Sequence, residues 1–174
     1  MFLDESGFLL IPNVRKTWAP VGCTPIVRHS YKRDKLSAIS AVSVSPRRTR
    51  LGLYMHVHEA NITGAEVVIF LRHLLRHLQG PLDLLWDGGS IHKRADVKAF
   101  LSEHQRLQTH RFPAYAPELN PDEFVWTKMK DDLANGVPQN LRELDTDLRS
   151  SFRRIHDSQD LLWSCILTSD LPWR

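Results

Sequence analysis

LGLYMHVHEANITGAEVVIFLRHLLRHLQGPLDLLWD, residues 51–87, changes period twice, and those changes decide the fold. Leu51, Leu53, Met55 and Val57 alternate with Gly52, Tyr54, His56 and His58, the period of a half-buried strand. From Thr63 the period lengthens. Thr63 and Glu66 form a capping-box pattern, and Val67, Leu71, Leu74, Leu75 and Leu78 recur at helical spacing up to Gly80. Pro81–Trp86 is then nearly all apolar, as suits a strand buried on both faces. Strand, helix and strand in this order predict an α/β sheet with a parallel crossover.

Upstream, a first strand is predicted from about Phe2 to Leu10 and a second within 36–45. Between them, residues 11–35 are rich in turn formers and charge, including Pro12, Pro20, Gly22 and Pro25, and read as a long loop or hairpin arm. Downstream, a short helix is predicted over Arg94–His104 and a fifth strand over Leu107–Phe112. Asn120-Pro121 opens another helix, with Asn as cap and Pro at the first helical position. The last clear helix starts at Asn140 and carries Leu141, Leu144, Leu148 and Phe152 on one stripe. Three consecutive strands predict an antiparallel meander, and the later alternation predicts parallel crossovers. The 174 residues suit one domain with a full core.

Composition narrows the class. The chain is 42% hydrophobic, without an apolar run long enough to cross a bilayer and without a signal-peptide pattern at its start. This predicts a soluble cytoplasmic protein with no membrane partner. Cys23 and Cys165 are far apart and lack metal-type spacing, so reduced thiols are expected. No cysteine or histidine spacing suggests zinc. A net charge of +3 and a pI near 9.0 permit nucleic-acid binding. The cations cluster at Arg28, Lys32, Arg33 and Lys35, at Arg47, Arg48 and Arg50, and at Arg149, Arg153 and Arg154. Each cluster taken alone also reads as a solvated face.

Three acids stand in distinctive contexts: Asp4 in FLDESG, Asp87 in LLWDGGSIHK and Glu123 in PAYAPELNPDEFVW. Asp4 and Asp87 end or interrupt strand-like runs, and Glu123 lies in the first turn of a helix. Three converging carboxylates can hold a pair of hard divalent cations, a site that cleaves or joins phosphodiesters. Each acid also has a purely structural reading. Asp4 lies in good turn chemistry, and Asp87 can initiate an Asp-Gly turn. Glu123 can complete a capping box with Asn120, and Glu118 and Asp122 are competing acids nearby.

At these residues the chain resembles the catalytic domain of DDE transposases, in the bacterial insertion-sequence branch of the mariner superfamily. The resemblance runs from Asp4 to about Asp157 and is sharpest over Pro113–Trp126. Between Asp87 and Glu123 lie 35 residues, 88 through 122, close to the family's interval. The family pattern of aromatic, small residue, Pro, acid, Leu, Asn, Pro, any residue, Glu assigns the third catalytic position to Glu123 and the variable slot to Asp122. Gly88 stands where the family often has Asn, and His92 matches a frequent family histidine, read either as a DNA-contact or site-tuning residue or as a surface or helix-capping one.

The resemblance implies a ribonuclease H-like fold: a mixed five-stranded sheet flanked by helices, with the first and fourth strands adjacent. It implies Asp4, Asp87 and Glu123 as catalytic residues and ligands of two Mg²⁺ ions, with Mn²⁺ able to substitute. The implied function is metal-dependent cleavage at transposon ends and strand transfer into target DNA. The alternative is a truncated or domesticated remnant that binds DNA or a partner subunit without catalysis. Candidate DNA contacts are His92, Lys93, Arg94, Arg47, Arg48 and Lys128. Residues Trp18–Pro25, WAPVGCTP, look like a family loop that helps clamp two subunits together, implying a homodimer; a rigid hairpin with Trp18 buried is the other reading. The family also carries an upstream helix-turn-helix region; here either another reading frame joined by frameshifting supplies it, or the chain is a truncated remnant. The setting implied is the nucleoid of a bacterial cytoplasm.

Overall fold

The strand Phe2–Leu9 (β1) is the middle of a five-stranded sheet in the computed structural model, which describes residues 1–11, 13–26 and 33–173. Its neighbours are β2 (Lys35–Val44), β3 (Leu51–His58), β4 (Leu82–Trp86) and β5 (Leu107–Arg111), in the order β3-β2-β1-β4-β5. β1, β2 and β3 form the antiparallel meander, with Asp4 opposite Ser40 and Ser40 opposite Met55. β4 runs parallel to both β1 and β5. Phe2 pairs with Leu85, so carrying that register two residues further brings Asp87 level with Asp4.

The pleat divides β1 between two cores. Phe2 and Phe8 pack with Val125, Trp126 and Met129 of α3 (Pro121–Asp132), Leu144, Leu148 and Ile155 of α4 (Leu141–His156), and Leu162, Cys165 and Ile166 of α5 (Gln159–Thr168). Leu3 packs on the other face with Val67, Phe70, Leu71 and Leu74 of α1 (Gly64–His77), and Val97 and Phe100 of α2 (Ala95–Glu103). The capping box read at Thr63 and Glu66 is formed, with the Thr63 amide donating to Glu66 Oε2 at 2.9 Å. Gly80, at φ +78°, makes the left-handed turn into β4 that a side chain would strain. Arg106 donates to the carbonyls of Leu78 and Gly80 at 2.9 Å, closing the end of α1.

Several boundaries move by one residue: β1 stops at Leu9, β4 starts at Leu82, α2 spans Ala95–Glu103 after a short 3-10 turn over Ile91–Lys93, and β5 stops at Arg111. A further helix, α5, follows the last predicted one. Ser158 caps α5 by accepting from the Leu161 amide. Within 13–26 there is no regular element beyond a turn in which the Cys23 amide donates to Pro20 O, with Gly22 at φ +81°. The arm is pinned at its base: Asn135 N donates to Asn13 O, Arg15 N donates to Asn135 Oδ1, and Arg15 pairs with Asp131. Trp18 is 100% exposed, which corrects the reading that buries it. Arg28 and Lys32 of the first basic cluster lie outside the described residues.

Candidate active site

Asp4 faces α3. The buried Trp126 indole must find an acceptor, and its Nε1–H donates to Asp4 Oδ2 at 3.1 Å. The start of α3 is tied to the same strand by Asn120. Its Oδ1 accepts the Asp122 amide at 3.2 Å, and its Nδ2 donates to Leu3 O at 3.2 Å. This clamp holds the first turn of α3, with Glu123 in it, beside Asp4. The Asn120 amide donates to Pro117 O, so Glu123 does not complete the capping box that its spacing allows. Freed from that structural role, its half-buried carboxylate acts on Asp4. Burial first, then the charges of Glu123, Glu5 and Asp87, push the Asp4 carboxyl up to about 8, against a smaller opposing bond from the Glu5 amide.

Asp87 lies in a different environment at the same level of the sheet. Its Oδ1 accepts from the Gly89 amide at 2.8 Å and lies 2.9 Å from His92 Nδ1. The bond from His92 holds its pKa below the ordinary carboxylate range, with burial opposing and the Gly89 amide, His92 charge and Lys93 assisting. His92 stacks on Trp86, ring centroids 4.2 Å apart, and its Nε2 lies 3.0 Å from Glu5 Oε1. Burial alone would lower the His92 pKa, but bonds to Asp87 and Glu5 and their charges raise it to about 9. Both ring nitrogens therefore donate, and the ring is an imidazolium at neutral pH. Glu5 indeed points to the opposite face from Asp4, where it is the second anchor of His92.

Asp122 is fully buried. Ser40 Oγ–H donates to its Oδ2 at 2.6 Å, and its Oδ1 has no partner among the described residues. Burial chiefly raises its pKa well above the ordinary value, opposed by the Ser40 bond and aided by Asp4, Glu5 and Glu123. Glu118 is exposed in the turn Pro117–Leu119, where its carbonyl accepts the Asp170 amide. Glu123 and Asp87 thus both lie within electrostatic reach of Asp4. Among the described residues, however, no three His, Cys, Asp or Glu side chains are drawn close enough to hold a metal ion, and Asp87 is turned towards His92. The donor chemistry fits a hard divalent cation: oxygen ligands only, one of them desolvated among like charges.

A family model described as DDE superfamily endonuclease matches residues 1–145. The chain belongs to that family. Its fold is that of the Mos1 mariner transposase in a paired-end complex with Mn, at 19% identity and TM-score 0.63 over 99% of this chain and 56% of that one. The catalytic domain of Mos1 alone matches at 14% identity and TM-score 0.56, covering 99% of this chain and 82% of that one. A simian T-cell lymphotropic virus intasome chain matches at 14% identity and TM-score 0.53, over 72% of this chain and 44% of that one. The ribonuclease H-like architecture is therefore established. This DDE chain spans just over half the length of the Mos1 chains in their DNA complexes. No curated protein is significantly similar to it in sequence.

The DNA-contact candidates of this DDE chain are scattered. His92 is 6% exposed and bonded inward at both nitrogens, which corrects its reading as a DNA contact. Lys93 is exposed and acts on Asp87. Arg94 pairs with Asp96 at 3.5 Å and lies against Gly64, where a Cβ would meet its Cδ at 2.8 Å. Arg47 and Arg48 are in the β2–β3 turn, at the amino end of β1, because Val42 pairs with Phe2. Asp87 follows the carboxyl end of the parallel strand β4, so these arginines lie at the other end of the sheet, with Arg48 over the Trp173 ring at 5.6 Å. Lys128 is half-buried on α3, where its charge acts on the Cys165 thiol of α5. Ser40, Glu5 as the anchor of His92, and the Trp126 bond to Asp4 are site features that the sequence reading missed. Only the last had a signal, an indole donor on a buried helix stripe.

Proposed function

We propose that this chain is the catalytic domain of a transposase of the bacterial insertion-sequence branch of the mariner superfamily. It cuts DNA at the ends of a mobile element and joins the freed 3′ end to target DNA. Membership in the DDE endonuclease family supports this reading, and one observation carries it. Asp4 is half-buried among the charges of Glu123 and Asp87, with its pKa pushed up to about 8. Such crowding is unfavourable unless cations neutralise it.

Asp4, Asp87 and Glu123 would hold two Mg²⁺ ions, and Mn²⁺ would substitute. The Mos1 paired-end complex contains Mn, as does its catalytic domain with raltegravir. Bound ions of this kind supply Lewis-acid activation of water and neutralise charge at the phosphorus. The residues of the chain supply position. Trp126 fixes the Asp4 carboxylate, Asn120 holds the turn bearing Glu123 against β1, and His92 with the Gly89 amide orients Asp87. Lys93 offers a phosphate contact beside Asp87.

DNA is the partner, and the working unit is a homodimer joined through the arm that bears Trp18. A helix-turn-helix region that reads terminal repeats, supplied by an upstream frame joined by frameshifting, would complete the working unit. The complex acts on the bacterial nucleoid.

The test is Mn²⁺-dependent nicking of transposon-end DNA by a protein that includes the end-reading region. Glu123→Gln is expected to abolish nicking while changing stability by less than about 1 kcal/mol, because Glu123 makes no capping bond and a first-turn carboxylate contributes no more than that. Asp122→Asn is expected to stay active, since an amide oxygen also accepts from Ser40. An active Glu123→Gln beside an inactive Asp122→Asn would move the third ligand by one residue.

A further inference from the structure

Ile69, Arg72, His73 and Arg76 stand at positions i, i+3, i+4 and i+7 of α1 and share one stripe. With His56 and Met55 of β3 they line a cavity of about 220 Å³ at the edge of the sheet. The His73 ring is 4.2 Å from the His77 ring and 6.4 Å from Tyr54, centroid to centroid. Among the described residues neither Arg72 nor Arg76 meets a carboxylate. The Arg72 guanidinium lies 5.8 Å from the Phe100 ring centroid, a contact that steadies it without neutralising it. The nearby acids are already engaged. Glu66 caps α1 and sits 3.9 Å from His58, and Asp145 bonds Arg149 at 2.7 Å. Burial and then the charges of His77, His56 and Arg76 lower the His73 pKa; burial, His58 and Arg149 lower that of His56 against a weaker pull from Glu66. The cavity therefore holds an excess of positive charge that no group in it balances.

We infer that this cavity is an anion site that grips a backbone phosphate of DNA, separate from the acidic site. The inference rests on DNA being the partner of this chain. Arg72 and Arg76, four residues apart on one stripe of α1, both line this concave spot, and forked guanidinium donors suit phosphate oxygens. His56 shares a register row with Ile39 and Glu5, two strand spacings or about 10 Å from the sheet centre. It points to the α1 face, whereas Asp4 points to α3. A duplex held here meets the protein on the opposite face of the sheet from Asp4.

The experiment is fluorescence anisotropy of the 174-residue chain with a duplex of about 30 base pairs of arbitrary sequence, across a salt series. Arg72→Gln with Arg76→Gln is compared with Arg47→Gln with Arg48→Gln. The first pair is expected to weaken binding about tenfold near 0.1 M salt and to flatten the log–log salt slope by about 2. Ring-proton NMR signals of His56 and His73 in the wild type are expected to shift on adding duplex, which gives a readout that needs no variant. If the first pair binds like the wild type, or the histidine signals stay put, the inference is overturned. Equal competition by polyglutamate would overturn it in favour of an acidic protein partner. Retained Mn²⁺-dependent nicking alongside any of these results leaves the proposed function standing, whereas a wild type that binds no duplex sinks both.

Discussion

Asp4 and Asp87 are one residue type at one level of two adjacent parallel strands, yet their surroundings push them apart. Asp4 is desolvated under α3 with Glu123 beside it, and its pKa rises to about 8. Asp87 sits past the end of β4, where an imidazolium and a backbone amide hold its pKa below the ordinary value. The difference lies in what each faces across the sheet. Asp4 faces an acid and an indole; Asp87 faces His92, which Glu5 anchors from the other face of β1. A site of this kind has one carboxylate in need of a cation and one already supplied with a cation by the protein.

The largest expected effect comes from removing the frustrated member. Asp4→Asn should reduce Mn²⁺-dependent nicking to background while stabilising the metal-free fold at pH 8. The gain should be about 1–3 kcal/mol in urea melts, because a crowded charge is lost. Lower stability together with lost activity would show that Asp4 is compensated after all.

His92→Ala attacks the other side of the comparison. It leaves Glu5 and Asp87 without their shared cation and removes the stack on Trp86. A loss of about 1–3 kcal/mol is expected, less than for a fully buried ion pair because Asp87 is exposed, with the Asp87 pKa returning towards the ordinary range. An unchanged Asp87 titration would mean that the Gly89 amide alone sets it.

The same pair predicts how stability varies with pH. His92 is raised from 6.5 to about 9, so its contribution is complete below pH 6.5 and is lost as pH rises through 9. Asp4, raised from 3.8 to about 8, acts in the same direction over a lower window. Metal-free stability should therefore fall between about pH 4 and pH 9, by about 2–3 kcal/mol for the His92 part. His92→Gln should flatten only the upper portion. The smallest effect belongs to Ser40→Ala, about 1 kcal/mol from the lost bond to Asp122, with nicking retained.

The contrast between the aspartates was half legible in the sequence. The change of period across 51–87 announces β3, α1 and β4, and the alternation that follows announces the parallel strands, while the adjacency of Asp4 and Asp87 was implied only by the family resemblance. The chemistry that separates them does not. Trp126 and Asp4 are joined across 122 positions, and Glu5 and His92 across 87. His92 reads as a polar loop residue, because nothing local says that Trp86 and Glu5 will enclose it. The helix α5 escaped for another reason. Leu161, Leu162, Trp163, Cys165, Ile166 and Leu167 place apolar side chains all round it, so no stripe is visible, and Leu167 is left exposed. The capping box at Asn120 shows the opposite failure: the spacing is right, but Pro117 takes the amide that Glu123 would need.

The central claim is that Asp4 is a carboxylate held in wait for a cation and Asp87 one already compensated. Carbon-13 NMR titration of the aspartate carboxyls, without and with millimolar Mg²⁺, tests it most directly. The account predicts that Asp4 titrates near 8 in the absence of metal and Asp87 below the ordinary value. It also predicts that Mg²⁺ moves the Asp4 midpoint down by more than one unit. Midpoints near 4 for both residues, unmoved by Mg²⁺, would contradict it.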